Sequence, residues 1–291
     1  MSESEPPDQR LHCGIHVPSI GEYADPQLLV QLATAAEQAG WEGFFIWDHM
    51  LVDAQSPPPV VDPWVTLGAV AAATKTVWIG AMVTAISRRR PWKLAREIAT
   101  LDVLSGGRVV FGAGLGVPQD AEFEVFGDEG DARVRAEYLD EGLQIIRGLL
   151  SGEPFSHEGK HFKIAEVCFT PKPVGPVPIW IAGNWPNSKP FRRAARWDGV
   201  MPEKVGGRLL DPEDVRDLVE FIEAQRRRLD TNKAFDVVIG GFTEFNRAHA
   251  ADRVRLYQEA GATWWLERLH PDRGALDKNL RRIEQGPPSV G

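Results

Sequence analysis

Cysteine is nearly absent. The 291 residues hold two, Cys13 and Cys168, far apart and in no Cys-x-x-Cys spacing. That argues against a disulfide scaffold or a thiolate zinc site and suits a reducing compartment, so a cytoplasmic protein is expected. The seven histidines form no His-x-His or His-Glu-x-x-His pattern, and no metal is expected. No apolar run reaches the ~20 residues of a membrane span. Positive charge is scarce: 33 Lys and Arg stand against 41 Asp and Glu, a net charge of -8. Nucleic acid and anionic membranes are therefore not the expected partners; a small-molecule substrate is. The first ten residues, "MSESEPPDQR", lack the basic and apolar parts of a signal peptide and are expected to form a flexible tail.

A glycine is missing too. "RVVFGAGLGVP", Arg108 to Pro118, is a β-branched run ending in Gly112, Gly114 and Gly116. It stops one residue short of a dinucleotide-binding fingerprint, because Val117 stands where the third glycine would open a helix. The acidic stretch that follows, "QDAEFEVFGDEGD", reads as a loop, so negative charge gathers where a diphosphate would sit. The simpler reading is that these glycines let a buried strand end close to something.

What is present is a beat of short apolar strands and longer helices. "CGIHV" (Cys13–Val17) is a first strand; its helix has Asp25 as N-cap, Pro26 in the first turn and Gly40 at its end. "GFFIW" (Gly43–Trp47) is a second, with a helix restarting at Asp62-Pro63. "VWIGAMV" (Val77–Val83) is a third, followed by a helix over Pro91–Ser105 that Gly106 and Gly107 stop. "RVVFG" is a fourth. The next helix places Leu139, Leu143, Ile146 and Leu150 on one face. "EPFSHEGKHFKIAEVCFTPKPVGP" alternates and reads as a β-hairpin insertion. "VPIWIAG" (Val177–Gly183), "DGVM", "FDVVIGG" and "GATWWLE" complete eight strands. Helices beginning near Ser188, Asp211, Asn246 and Asp272 fill the gaps. Eight such units predict an α/β fold, a (β/α)8 TIM barrel with a hairpin insertion, as one domain over residues 1–291. The competitor is an open doubly wound sheet.

In a barrel the reactive groups lie at the C-terminal strand ends. Those ends carry His16, then Asp48 and His49, then Thr84, then Gly112 to Gly116, then Asn184 and Trp185, and last Glu267. Polar groups beside large aromatics suit a flat conjugated ligand.

The stretches "GWEGFFIWDH", "IGAMVTAISRRRPWKLAREIATLDVLSGGRVVFGAGLG", "RAEYLDEGLQIIRGLLSGEPFSHEGKHF" and "VPIWIAG" resemble the luciferase-like monooxygenase superfamily, whose members use FMN or coenzyme F420. The resemblance spans nearly the whole chain and implies a (β/α)8 barrel, a homodimer and an oxidoreductase with its ring cofactor in the barrel mouth. It implies catalytic roles for His49 and Asp48, which match the strand-2 Asp-His of deazaflavin-dependent members. It implies cofactor contacts from His16, from Ala81, Met82 and Thr84, where a non-prolyl cis peptide is often found, and from Gly112, Gly114 and Gly116. It places a phosphate-binding turn at Asn184, Trp185 and Ser188. Two departures matter. The flavin branch's His-x-x-x-Arg-Tyr is missing from "DARVRAEYLDE". The glutamate that sugar-phosphate dehydrogenases carry directly after the glycines is replaced by Val117.

The resemblance therefore favours coenzyme F420 over FMN, with hydride transfer to or from a small organic substrate. An FMN monooxygenase consuming O2 is the alternative, and a flavin-binding barrel without catalysis is a third reading. Taken alone, His49 and His16 could be packed structural histidines. "RRR" at Arg88 to Arg90 reads either as a solvated loop or as a contact to cofactor phosphate. Glu267 is equally a salt-bridge partner or a pocket acid.

Overall fold

The computed structural model describes residues 10–270 and 274–289. Nine strands make one parallel sheet: β1 (His12–Val17), β2 (Gly43–Ile46), β3 (Trp78–Ala81), β4 (Thr84–Ala85), β5 (Phe111–Gly114), β8 (Ile179–Trp185), β9 (Gly199–Lys204), β10 (Asp236–Gly241) and β11 (Trp264–Arg268). Their order is β3-β2-β1-β11-β10-β9-β8-β5-β4. The two ends of that list meet. Ile79 N–H donates to the Arg108 carbonyl and Val110 N–H to that of Ile79, both at 2.9 Å. The sheet is thereby closed into a barrel, and an open doubly wound sheet is excluded.

Around it run α1 (Pro26–Gln38), α2 (Pro63–Ala73), α3 (Pro91–Ser105), α4 (Gln119–Glu122), α5 (Ala132–Leu150), α6 (Ser188–Ala194), α7 (Pro212–Arg228), α8 (Arg247–Glu259) and α9 (Leu276–Glu284). The capping residues act as the sequence predicts. Asp25 accepts from Gln27 N–H and Asp62 from Val65 N–H, each with proline at the first turn. Asp211 and Asp214 cap α7 reciprocally. Gly106 ends α3 at φ 74°, a left-handed conformation that other residues rarely adopt. The insertion is an antiparallel hairpin of β6 (Phe155–Glu158) and β7 (Lys163–Val167). Among the described residues, no helix is long and apolar enough to cross a membrane.

Alternation along the strands sorts the core into two layers. Phe44, Ile46, Ile79, Phe111, Ile179, Ile181, Val237, Ile239 and Trp265 belong to the large cluster packed beneath the helices. Phe45, Met82, Val110, Trp180, Met201, Val238, Trp264 and Leu266 form a separate cluster, which fills the barrel interior. Trp264 therefore points in and Trp265 out. In β1, Ile15 and Val17 join the outer layer, so His16 points to the inside, at the C-terminal end.

Two expectations change, and two reach beyond the described residues. The third strand is not continuous: it breaks at a turn containing the cis Met82–Val83 bond and resumes as β4, which pairs with β5 instead of β2. "QDAEFEVFG" is not an open loop but two short helical turns, Gln119–Glu122 and Glu124–Phe126, with Phe123 fully buried. The helix placed near Asp272 begins, among the described residues, at Leu276; Asp272 itself lies outside them. The expected tail, residues 1–10, also lies outside them except for Arg10, which pairs with Glu42.

Candidate active site at the C-terminal mouth of the barrel

β2 ends in Trp47, Asp48 and His49, which leave the sheet over the barrel mouth. Asp48 is buried, and its carboxylate takes Arg88 Nη2 at 2.6 Å and Arg89 Nη2 at 3.0 Å. Arg88 bridges onward to Glu122 through Nη1. Glu122 Oε1 takes His49 Nδ1 at 2.9 Å and the Met50 N–H at 3.0 Å. Arg88, Asp48 and Glu122 have side chains no more than 1% exposed, whereas His49 keeps 19%. Two guanidinium and two carboxylate groups, all buried except the partly exposed Arg89, thus hold one partly exposed imidazole. Such a set is tolerable in a low-dielectric interior because its charges cancel and most of its polar atoms are hydrogen-bonded.

His16 lies across the mouth. Its Nε2 faces the Met82 carbonyl at 3.1 Å, so that nitrogen carries the hydrogen and Nδ1 is a bare acceptor. Burial, and next the Arg268 charge, push its pKa down to about 3, and the ring stays neutral. Arg268 pairs with Glu203 at 2.7 Å. The Trp47 ring lies 5.8 Å from that of His16, 5.9 Å from His49 and 5.7 Å from His270. Among the described residues, His16 Nδ1 and Trp47 Nε1 are buried polar atoms without a hydrogen-bond partner, as are Arg88 Nε and Arg89 Nε in the cluster.

The other expected site residues divide. Met82 joins the mouth through the carbonyl that His16 holds. Ala81 is buried, with its carbonyl against Gly112. Thr84 Oγ1 accepts the Trp64 indole N–H at 3.2 Å and is fully buried, a structural role.

The glycines answer to the protein itself. A Cβ on Gly112 would lie 2.5 Å from the Ala81 oxygen and from Met82 Sδ; on Gly114, 2.7 Å from Val83 Cγ2; on Gly116, 2.7 Å from Ala85 Cβ. In the Cβ direction the neighbours are the β3–β4 turn at Gly112 and Gly114, and Ala85 and Phe123 at Gly116.

Asn184 is exposed at the end of β8. Trp185 packs on Phe191 and Phe221, towards the helix layer. Ser188 is the first residue of the seven-residue α6, and Asn187, not Ser188, holds the N-cap position. The structure does not join this turn to the His49 cluster by any hydrogen bond. Arg88 is buried and committed to Asp48 and Glu122, whereas Arg89 pairs with Asp48 and stays partly exposed; Arg90 lies over Trp92. Glu267 faces the helices, where it accepts from Thr243 and Trp265 and approaches Arg282 at 3.7 Å. It is a structural anion. The carboxylate that contacts the His49 ring is that of Glu122, while Asp48 holds Arg88 and Arg89. No sequence signal marks Glu122, which sits in an acidic segment of solvent-facing composition.

A groove of about 250 Å³ lies at the opposite end of the strands, lined by Arg147, Pro178, Asp198, Lys233 and Asp236. It shares no residue with the mouth cluster. Among the described residues no group of His, Cys, Asp and Glu is placed to hold a metal ion.

The family model described as luciferase-like monooxygenase matches residues 10–286. An F420-dependent hydroxymycolic acid dehydrogenase of Mycobacterium tuberculosis is 35% identical over 163 residues, which cover 55% of this chain and 44% of that protein. This chain thus matches less than half the length of that relative. Two solved structures share the fold. An F420-dependent secondary alcohol dehydrogenase in complex with an F420-acetone adduct has a TM-score of 0.80 at 18% identity, over 97% of this chain and 99% of that one. The oxygenating constituent of 3,6-diketocamphane monooxygenase from Pseudomonas putida, in complex with FMN, has a TM-score of 0.66 at 19% identity, over 95% and 78%.

Proposed function

The chain belongs to the luciferase-like monooxygenase family, and on that premise we propose that it is an oxidoreductase using coenzyme F420 to move a hydride to or from a small organic substrate. The observation that carries the proposal is the imidazole of His49, held at a barrel mouth by a charge-balanced buried cluster and bordered by Trp47 and His16. The preference for F420 over FMN is supported by the Asp48-His49 pair after β2 and by the F420-dependent relatives.

The mouth residues fit a ring of this kind. Trp47, His49 and His270 offer flat aromatic surface. The unpaired Trp47 Nε1 is a donor and the unpaired His16 Nδ1 an acceptor. A heterocycle carrying carbonyl and N–H groups would satisfy both. Bound there, F420 would supply the hydride acceptor or donor.

The chain's own residues have two tasks. His16, neutral by burial, recognises a hydrogen-bond donor without adding charge. His49 takes up or releases a proton at Nε2, the nitrogen turned away from Glu122. Imidazole suits that task because it titrates near neutral pH.

Replacing His49 with alanine tests this assignment. Turnover with F420 should fall about 10²–10⁴-fold, the usual size of an acid–base contribution, and cofactor affinity should fall by a smaller factor. Wild-type turnover in His49→Ala would make His49 structural. Oxygen consumption with reduced FMN, and none of the F420 reaction, would favour an FMN monooxygenase instead.

A further inference from the structure

We infer that Glu122 is the positioning residue for His49: it fixes the neutral imidazole as the Nδ1–H tautomer and leaves Nε2 as a bare lone pair. The mechanistic use of that lone pair rests on the proposed reading of His49; the tautomer itself rests on geometry alone.

The argument runs through the donors around one buried carboxylate. Glu122 is fully buried on α4, a short helix that the acidic composition of its segment does not announce. Its Oε2 takes Arg88 Nη1. Its Oε1 takes His49 Nδ1 at 2.9 Å, Met50 N–H at 3.0 Å and Leu51 N–H at 3.4 Å. Beside an arginine a carboxylate is ionised and only accepts, so the nitrogen facing it must bear hydrogen. Arg88 is fixed in turn, because its Nη2 donates to the Asp48 carbonyl at 3.0 Å and to Asp48 Oδ1 at 2.6 Å. Arg89 completes the set from the other side of Asp48. The ring therefore cannot exchange its nitrogens without setting a bare lone pair against a carboxylate.

Two further consequences follow. A proton gained at Nε2 would leave an imidazolium in direct contact with an anion. The set of Asp48, Glu122, Arg88 and Arg89 has no net charge of its own, so it does not repel that proton. Glu122 also ties the segment after β5 to the segment after β2, which keeps His49 at a constant place over the mouth. If Glu122 were only the counter-ion of Arg88, none of this would require a particular tautomer of His49.

The test is long-range ¹H–¹⁵N NMR of cofactor-free protein at a pH where His49 is neutral, with its signals assigned from their loss in His49→Ala. The wild type should show Nδ1 protonated and Nε2 bare. In Glu122→Ala the acceptor that holds Nδ1–H is removed, and the ring should shift towards the Nε2–H tautomer that a free imidazole favours, moving both nitrogen shifts. An Nε2–H tautomer in the wild type, or unchanged His49 shifts in folded Glu122→Ala, would overturn the inference. If Glu122→Ala does not fold, the wild-type spectrum decides alone. Because no cofactor is present, a failure of F420 to bind leaves this result standing, and a wrong tautomer leaves F420 binding untouched.

Discussion

Removing the Arg88 guanidinium should cost far more than an ordinary arginine does. Arg88→Met keeps most of the stem's volume but strips the charge from between Asp48 and Glu122. Arg88 and Asp48 are 1% exposed and Glu122 is 0% exposed, so water cannot take over the lost bonds. Arg89 remains for Asp48 but, among the described residues, makes no hydrogen bond or ion pair with Glu122, whose polar neighbours would then be His49 and backbone N–H groups. Breaking a buried ion pair by deleting one partner costs about 3–5 kcal/mol, because the other charge stays behind uncompensated. We expect a loss in that range, read from guanidinium chloride unfolding by the fluorescence of the ten tryptophans. Arg192→Met, at an exposed position of α6, is the control and should change stability by no more than about 0.5 kcal/mol. A loss below about 1 kcal/mol in Arg88→Met, the size of a surface pair, would refute the account of the cluster.

Two further perturbations test other parts of the mouth. His16 has a folded pKa of about 3 against an ordinary 6.5, so below pH 6.5 the unfolded chain binds a proton that the folded chain refuses. Stability attributable to His16 is therefore intact above pH 6.5 and falls as the pH drops, by at most about 1.4 kcal/mol per pH unit. His16→Asn should lose that part of the slope between pH 6 and pH 4; identical slopes would mean that His16 protonates in the folded protein. Gly112→Ala would force a Cβ against the Ala81 carbonyl, which is backbone and cannot swing aside. We expect about 1–3 kcal/mol of destabilisation, measured by the same unfolding assay; a neutral substitution would show that the β3–β4 turn does not need the glycine.

The barrel is legible in the sequence because each strand is short, apolar and followed by a helix signal. Asp25-Pro26 and Asp62-Pro63 place two helix starts to the residue, and a third falls near Asp211 as expected. The break in the third strand is not legible: "VWIGAMVTA" stays apolar throughout, and only pairing with β5 shows that Thr84 and Ala85 serve a different neighbour. His16, Asp48 and His49 stand at strand ends, where their order in the chain reveals them. Glu122 is hidden because an isolated glutamate among Asp120, Glu124 and Asp128 looks solvated; what buries it is Arg88, more than thirty residues earlier. The arginines mislead for the same reason, since a run of three cations suggests water or phosphate until Asp48 and Glu122 are found between them. The glycines are legible as a demand for close approach, although the approaching group is the chain's own turn.

The most direct measurement of the central claim is a fluorescence titration of the purified protein with F420, FMN and NAD in parallel. The account predicts that F420 binds at least tenfold more tightly than NAD, with FMN the nearer competitor, and that His49→Ala weakens F420 binding less than it slows turnover. NAD binding as tightly as F420, or more tightly, would contradict it.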